Sequence, residues 1–238
     1  MELLEALKTY FGYDSFRPGQ EAVVSALCSG RDVAAVMPTG AGKSLCFQLP
    51  ALLLEGITLV VSPLISLMRD QVAALVQAGI PAAFFNSALT ERQYALALER
   101  ARAGRYKLIY VAPERLGTER FLDFALHAEI ALLAVDEAHC VSQWGQDFRP
   151  HYLEIPDFAA RLPRRPVVGA FTATATQAVR RDMRELLQLR DPYEIVTGFD
   201  RPNLYFQVER TRRKDDFVIQ YLRDHPGESG IIYCATRK

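Results

Sequence analysis

Four apolar residues, Val33–Val36, run directly into Met37-Pro38-Thr39-Gly40-Ala41-Gly42-Lys43-Ser44, and a segment of helical periodicity opens at Lys43. A buried strand that empties through a turn of small residues into a helix aims backbone N–H groups and the positive helix end at one point. That is a ready-made seat for phosphate. Pro38, Thr39, Gly40, Ala41 and Gly42 form the cradle. Lys43 is placed to reach the β- and γ-phosphates of a nucleotide, and the Ser44 hydroxyl to ligate Mg²⁺. Met37 stands where the usual G-x-x-x-x-G-K-[ST] pattern has its first glycine.

The rest of the chain repeats the same strand-then-helix rhythm. Short β-branched or apolar runs predict strands over 33–36, 57–61, 82–85, 107–111, 130–135, 167–171 and 193–197. Helical periodicity lies between them, over 20–27, 43–54, 65–77, 91–103 and 177–187. Several strands are nearly continuous hydrophobic runs, as parallel strands covered on both faces are. Thr90 with Gln93 has the capping-box spacing, Gly104 suits a helix stop, and Thr176 suits an N-cap. The alternation predicts a doubly wound α/β domain with a mostly parallel sheet. Gly198 and Pro202 mark a break. Beyond it the sequence predicts strands over 204–208 and 231–233 around a helix over 214–222, read as the opening of a second domain.

A second chemical signal follows the strand over 130–135, in Asp136-Glu137-Ala138-His139. A carboxylate at the end of a buried strand can hold Mg²⁺ through water while its neighbour orients or deprotonates an attacking water. Asp136 is assigned to the metal and Glu137 to the water. His139 reads either as a satisfied polar residue or as a link from the nucleotide to later segments.

Upstream lies Phe11-Gly12-Tyr13-Asp14-Ser15-Phe16-Arg17-Pro18-Gly19-Gln20. The Gln20 amide can donate and accept at once, matching the donor–acceptor edge of adenine. Tyr13 and Arg17 can sandwich the base by stacking and cation–π contact. The bland alternative is a loop packed by aromatics before an ordinary helix. Further along, Trp144 and Phe148 offer faces for exposed bases and Arg149 a charge for phosphate. Here the alternative is core packing, the usual fate of a domain's one tryptophan.

Lys+Arg and Asp+Glu both number 28, so no overall basic field draws nucleic acid and any such site must be a local groove. The four cysteines, Cys28, Cys46, Cys140 and Cys234, include no C-x-x-C pair, which predicts reduced thiols and no zinc site. Met1-Glu2-Leu3-Leu4-Glu5 lacks the positive region of a secretory signal. The most apolar window is broken by Glu55, Gly56, Ser62 and Pro63, which argues against a membrane span. A soluble intracellular protein, cytoplasmic or nucleoid-associated in a bacterium, is expected.

The decapeptide from Phe11 to Gln20 resembles the adenine-reading motif that opens RecQ-family DNA helicases of superfamily 2, and the Pro38-Thr39-Gly40 form of the phosphate loop is similar to that of helicases. The resemblance continues in order through Ser62-Pro63-Leu64-Ile65-Ser66-Leu67-Met68-Arg69-Asp70-Gln71, Ala112-Pro113-Glu114-Arg115, Asp136-Glu137-Ala138-His139, Ser142-Gln143-Trp144-Gly145-Gln146-Asp147-Phe148-Arg149-Pro150, Thr172-Ala173-Thr174 and Phe199-Asp200-Arg201-Pro202-Asn203. It implies a RecA-like ATP-binding lobe over 1–198 and the truncated start of a second RecA-like lobe over 199–238. It implies ATP-driven 3′-to-5′ unwinding in repair and recombination, with single-stranded and duplex DNA and the facing lobe as partners. Lys43, Asp136 and Glu137 would be catalytic. Ser62, Ser66, Arg69, His139, Trp144, Phe148, Arg149, Thr172 and Thr174 would contact DNA or couple it to ATP. The family's finger arginines and zinc module lie beyond the matched segment, so this chain alone is expected to bind ATP without unwinding. An RNA-dependent motor of the same superfamily and a nucleotide-dependent binding module without turnover are the rival readings.

Overall fold

The computed structural model describes residues 2–198 and 204–234. In chain order the elements are α1 (Leu3–Phe11), α2 (Gln20–Cys28), β1 (Val33–Val36), α3 (Lys43–Leu53), β2 (Ile57–Val61), α4 (Ile65–Gln77), β3 (Ala82–Phe85) and α5 (Glu91–Arg102). Then come β4 (Leu108–Val111), α6 (Glu119–His127), β5 (Ile130–Val135), α7 (Ile155–Arg161), β6 (Val167–Thr172), α8 (Gln177–Leu186), β7 (Tyr193–Val196) and α9 (Lys214–Asp224). The seven strands form one sheet in the order β3-β4-β2-β5-β6-β1-β7, with every neighbouring pair parallel.

The period-2 alternation of each strand divides the core between the two faces. Leu59, Val61, Ile109, Val111, Leu133 and Val135 point to one face, where α5, α6, α7 and α8 cover them. Val60, Leu108, Tyr110, Leu132, Ala134 and Phe171 point to the other, under α2, α3 and α4. Helix α3 is apolar nearly all round because it is buried between this sheet face and α1, whose Ala6 and Leu7 pack on Leu45 and Leu49. The expected capping box forms. Gln93 N–H donates to Thr90 Oγ1 at 3.3 Å, and Thr90 N–H to Gln93 Oε1 at 2.9 Å. Thr176 caps α8 through Val179 N–H at 3.3 Å.

Three helices exceed what the sequence predicted, namely α1, α6 and α7. Each is short, so its stability comes from the apolar face it packs onto the core rather than from a long periodic run.

The chain divides into two compact units, Met1–Phe199 and Asp200–Lys238. The break expected at 199–203 lies outside the described residues. In the second unit, α9 forms as expected. The strands expected over 204–208 and 231–233 do not form; those residues are exposed and carry no ladder. A lone strand leaves its N–H and C=O groups without partners, so a short apolar run by itself does not make one.

Candidate active site

Parallel topology carries every strand's C-terminal end to one edge of the sheet, and the strand order decides which loops meet there. β6 lies between β1 and β5, with Val36 beside Thr172 and Val135 beside Ala170. The phosphate loop, Thr172 and Asp136 therefore emerge side by side although about a hundred residues separate the first two motifs in the chain. Met37 N–H donates to Thr172 O at 2.9 Å, and Asp136 N–H to Val61 O at 2.8 Å, which ties both motifs to the sheet end.

The loop from Pro38 to Gly42 turns through two left-handed glycines, Gly40 (φ 84°) and Gly42 (φ 79°), before α3 begins. A Cβ at Gly42 would lie 2.4 Å from Gln20 Nε2, so glycine is required there on both counts. Gln20 is buried. Its Nε2 donates to the carbonyls of Ala41 and Gly42, each at 3.1 Å, and its Oε1 accepts Arg17 N–H at 2.8 Å. Arg17 Nη1 donates to Gly40 O. Two of the three residues expected to read adenine, Arg17 and Gln20, thus brace the phosphate loop directly. Tyr13, Arg17, Gln20, Gly42 and Ser44 also line one pocket of about 260 Å³, whose floor includes Gln48 and Gln71.

Gln48 donates to Gln71 Oε1 at 2.8 Å and to the Tyr110 hydroxyl at 3.0 Å, joining the phosphate-loop helix to α4. Sequence reasoning passed over this pair. The signal was a glutamine inside the otherwise apolar run of α3. A cavity of about 660 Å³ includes Gly30, Glu55, Glu129 and Pro166 at the opposite, N-terminal ends of the strands, and none of the expected site residues line it.

Asp136 is 8% exposed. Burial and then the charge of Glu137 push its pKa from 3.8 up to about 6, against opposing pulls from Glu137 N–H, Lys43 and the Ser62 hydroxyl. Glu137 sits in the left-handed region (φ 47°, ψ 44°), which costs a non-glycine residue on the order of 1–3 kcal/mol and here aims its carboxylate back across the site. Its pKa is lowered, first by a hydrogen bond from His139 and further by the charges of Lys43 and His139. His139 Nδ1 lies 2.8 Å from Thr172 Oγ1 and 3.3 Å from Glu137 Oε2. Thr172 gives its own hydroxyl hydrogen to Thr174 O at 3.1 Å, so Nδ1 carries the hydrogen it shares with these two oxygens. Tyr152, missed from sequence, donates to Asp136 O at 2.8 Å. Lys43 Nζ donates to Met37 O at 3.3 Å.

Three comparisons bear on this arrangement. The DEAD/DEAH box helicase family model matches residues 17–182. The chain belongs to the DEAD/DEAH box helicase family. The ATP-dependent DNA helicase RecQ of Bacillus subtilis is 46% identical over 233 residues, which are 98% of this chain and 39% of that protein. That of Haemophilus influenzae is 44% identical over 234 residues, 98% of this chain and 38% of that protein. The RecQ-family resemblance therefore holds across nearly the whole chain, and the chain spans about two fifths of the length of these relatives. The crystal structure of the DUF1998 helicase MrfA shares the fold, with a TM-score of 0.71 at 16% identity over all of this chain and 39% of that one.

The residues that the helicase resemblance assigned to DNA differ widely in exposure. Trp144 is 79% exposed, so the core-packing alternative does not hold for it. Phe148 is half-buried, while Ser66, Arg69 and Thr174 are exposed. Ser62 and Thr172 are buried. Arg149 is engaged internally, donating to Asp147 Oδ2 at 2.8 and 2.9 Å and to Pro63 O at 3.1 Å. Among the described residues no helix is long and apolar enough to cross a membrane.

The raised pKa of Asp136 carries a stability consequence. The folded state holds this proton more tightly than the unfolded state does, so stability contributed by the protonated form is lost as pH rises from about 4 through about 6. Asp136→Asn is expected to raise Tm at pH 8 in EDTA, by on the order of 2–4 °C for each kcal/mol relieved. The gain should shrink as pH falls toward 5. A thermal melt series showing Asp136→Asn less stable than the parent at pH 8 would count against this placement of the charge.

Proposed function

We propose that these residues form the ATP-binding lobe of a DNA helicase that couples ATP hydrolysis to 3′-to-5′ movement along single-stranded DNA and duplex unwinding. The observation that carries this is the convergence of a phosphate loop, a buried Asp136, a half-buried Glu137 and an exposed Trp144 loop at one edge of the sheet. Lys43 neutralises the β/γ-phosphates. Tyr13 and Arg17 stack on the adenine, and Gln20 reads its edge by exchanging loop carbonyls for the base.

Among the described residues no group of three or more His, Cys, Asp or Glu side chains builds a metal cage. A single carboxylate whose pKa is raised by burial and then by its neighbour's charge fits a cation that takes the rest of its ligands from phosphate and water, as Mg²⁺ does. Asp136 and the Ser44 hydroxyl would hold it, and it would neutralise charge developing on the phosphates. Glu137, held ionised by His139 and Lys43, is a poor proton abstractor and a good acceptor. Its role is to orient the attacking water, which suffices for a loose phosphoryl-transfer transition state.

The unit from 200 onward is read as the opening of a second RecA-like lobe. Arginines that the resemblance assigns to that facing lobe contribute on the order of 10³–10⁵ in rate. Hydrolysis by these 238 residues alone is therefore slow, and single-turnover conditions suit it. Oligothymidylate is expected to accelerate that hydrolysis more than oligouridylate does, and Trp144→Ala to remove the acceleration with nucleotide affinity unchanged. Equal or greater acceleration by the RNA would favour an RNA-dependent motor. Tight binding with no hydrolysis under any condition would favour a binding module.

A further inference from the structure

Behind the exposed indole of Trp144 lies a hydroxyl with two partners. Ser142 is fully buried; its Oγ donates to Asp182 Oδ2 at 2.5 Å and accepts Trp144 N–H at 3.1 Å. Asp182 projects from the middle of α8, a helix with no other residue assigned to the site. The turn between Ser142 and Trp144 is held from the other side as well. Ser142 N–H donates to His139 O at 3.1 Å and Gly145 N–H to Ser142 O at 3.0 Å. Gly145 sits so close that a Cβ there would meet His139 O at 2.4 Å.

Together these bonds close a ring through the lobe. It runs from Glu137 and His139 to Thr172 and Thr174, on through the Thr176 cap into α8, out along Asp182 to Ser142, and back through the turn to His139. Charge-assisted O–H···O⁻ bonds are the short and strong kind, and a buried one is shielded from competing water.

We propose that Asp182 is a positioning residue that latches the Trp144 turn to α8, so that the strand end carrying Glu137 and the surface carrying Trp144 move as one body. The latch rests on the helicase reading above for its purpose, though not for its geometry. Without the carboxylate, the buried Ser142 hydroxyl loses its acceptor and rotates away from Trp144 N–H. The turn then moves independently of His139. Trp144 still reaches solvent, yet its occupancy no longer registers at Glu137.

Trp144 is the single tryptophan of the chain and so reports on its own turn. The measurement is steady-state tryptophan anisotropy and acrylamide quenching of the full chain, for the parent, Asp182→Ala, Ser142→Ala and Asp182→Asn. Thermal melts and calorimetric titration with a non-hydrolysable Mg²⁺–ATP analogue accompany it. Asp182→Ala and Ser142→Ala should lower the anisotropy and raise quenching, with nucleotide affinity within about twofold of the parent. Asp182→Asn, which keeps an acceptor oxygen, should recover much of the parent's value. In single-turnover hydrolysis, Asp182→Ala should lose the acceleration by oligothymidylate and keep the basal rate. Unchanged anisotropy in Asp182→Ala overturns the latch whether or not the parent responds to DNA. So does a fall in nucleotide affinity that tracks a fall in Tm, because the bond would then be holding the fold and not the turn. A parent whose hydrolysis ignores DNA would instead count against the function proposed above, with the anisotropy still deciding the latch.

Discussion

Glu137→Gln is expected to slow single-turnover ATP hydrolysis by about 10²–10⁴-fold while leaving nucleotide affinity within a few-fold of the parent. The substitution keeps the side chain's size and the left-handed backbone, and a neutral amide still fits beside His139. What it removes is an acceptor kept negative by the His139 hydrogen bond and the nearby Lys43 charge. An amide oxygen accepts a water's hydrogen more weakly, and its NH₂ group presents donors to the same water, so the water is misaimed in the transition state and little changes in the ground state. Because the pKa of Glu137 is lowered and that of Asp136 is raised in the metal-free chain, it is binding of Mg²⁺–ATP at sub-saturating Mg²⁺ that should follow Asp136 and weaken as pH drops through about 6. Hydrolysis by Glu137→Gln at the parent's rate would remove Glu137 from the chemistry and shift attention to His139.

The largest effect on stability is expected away from the site, at Asp32→Ala. Asp32 lies just before β1 and is 3% exposed. Its Oδ1 accepts Arg165 Nη1 at 3.1 Å and Val168 N–H at 2.8 Å; its Oδ2 accepts Arg165 Nη2 at 2.6 Å and Arg190 N–H at 2.7 Å. One carboxylate therefore clamps the starts of β1 and β6 and the turn after α8. Truncating it leaves two backbone N–H groups without an acceptor and strips the half-buried Arg165 guanidinium of its counter-charge, with only the carbonyls of Pro166 and Gln188 still accepting from it at 3.2 and 3.1 Å; breaking a buried pair of this kind costs about 3–5 kcal/mol. For a chain of this size that is a Tm lower by on the order of 10 °C. Urea denaturation should show it as a lower midpoint with an unchanged slope. A double variant, Asp32→Ala with Arg165→Met, should recover part of the loss because the stranded charge goes with its partner. A loss under about 1 kcal/mol in Asp32→Ala, of the size of a surface pair, would mean that water replaces the carboxylate at this site.

Much of the lobe was legible because its signals are local. A strand emptying into Pro38-Thr39-Gly40-Ala41-Gly42-Lys43-Ser44 is a seat for phosphate, and all seven strands of the sheet fell where short β-branched or apolar runs predicted them. The Thr90–Gln93 capping box and the Thr176 cap depend on residues three apart, so they could be read directly. The short helices α1, α6 and α7 could not, since packing rather than periodicity holds them. In the second unit, short apolar runs over 204–208 and 231–233 predicted strands that have no ladder, because a strand is defined by its neighbour and sequence names no neighbour.

The sequence by itself determined the chemistry at hand: a phosphate cradle, a Lys, a Ser, an acidic pair and an aromatic loop, each recognisable within ten residues. Tertiary structure alone decided their partnerships. Strand order brought β5, β6 and β1 together, and so set Thr172 between the phosphate loop and Asp136. It buried Ser62, which the family resemblance assigned to DNA contact or coupling, and exposed Trp144, which composition alone would have buried. It turned the Gln20 amide onto the carbonyls of Ala41 and Gly42. It also gave Asp32 and Asp182, two aspartates that look like ordinary turn and helix-surface residues, the tightest buried bonds in the lobe. The reason is physical: a residue's reactivity is written in its own atoms, while its pKa, its exposure and its hydrogen-bond partner belong to groups that are distant in the chain and meet only when the sheet closes.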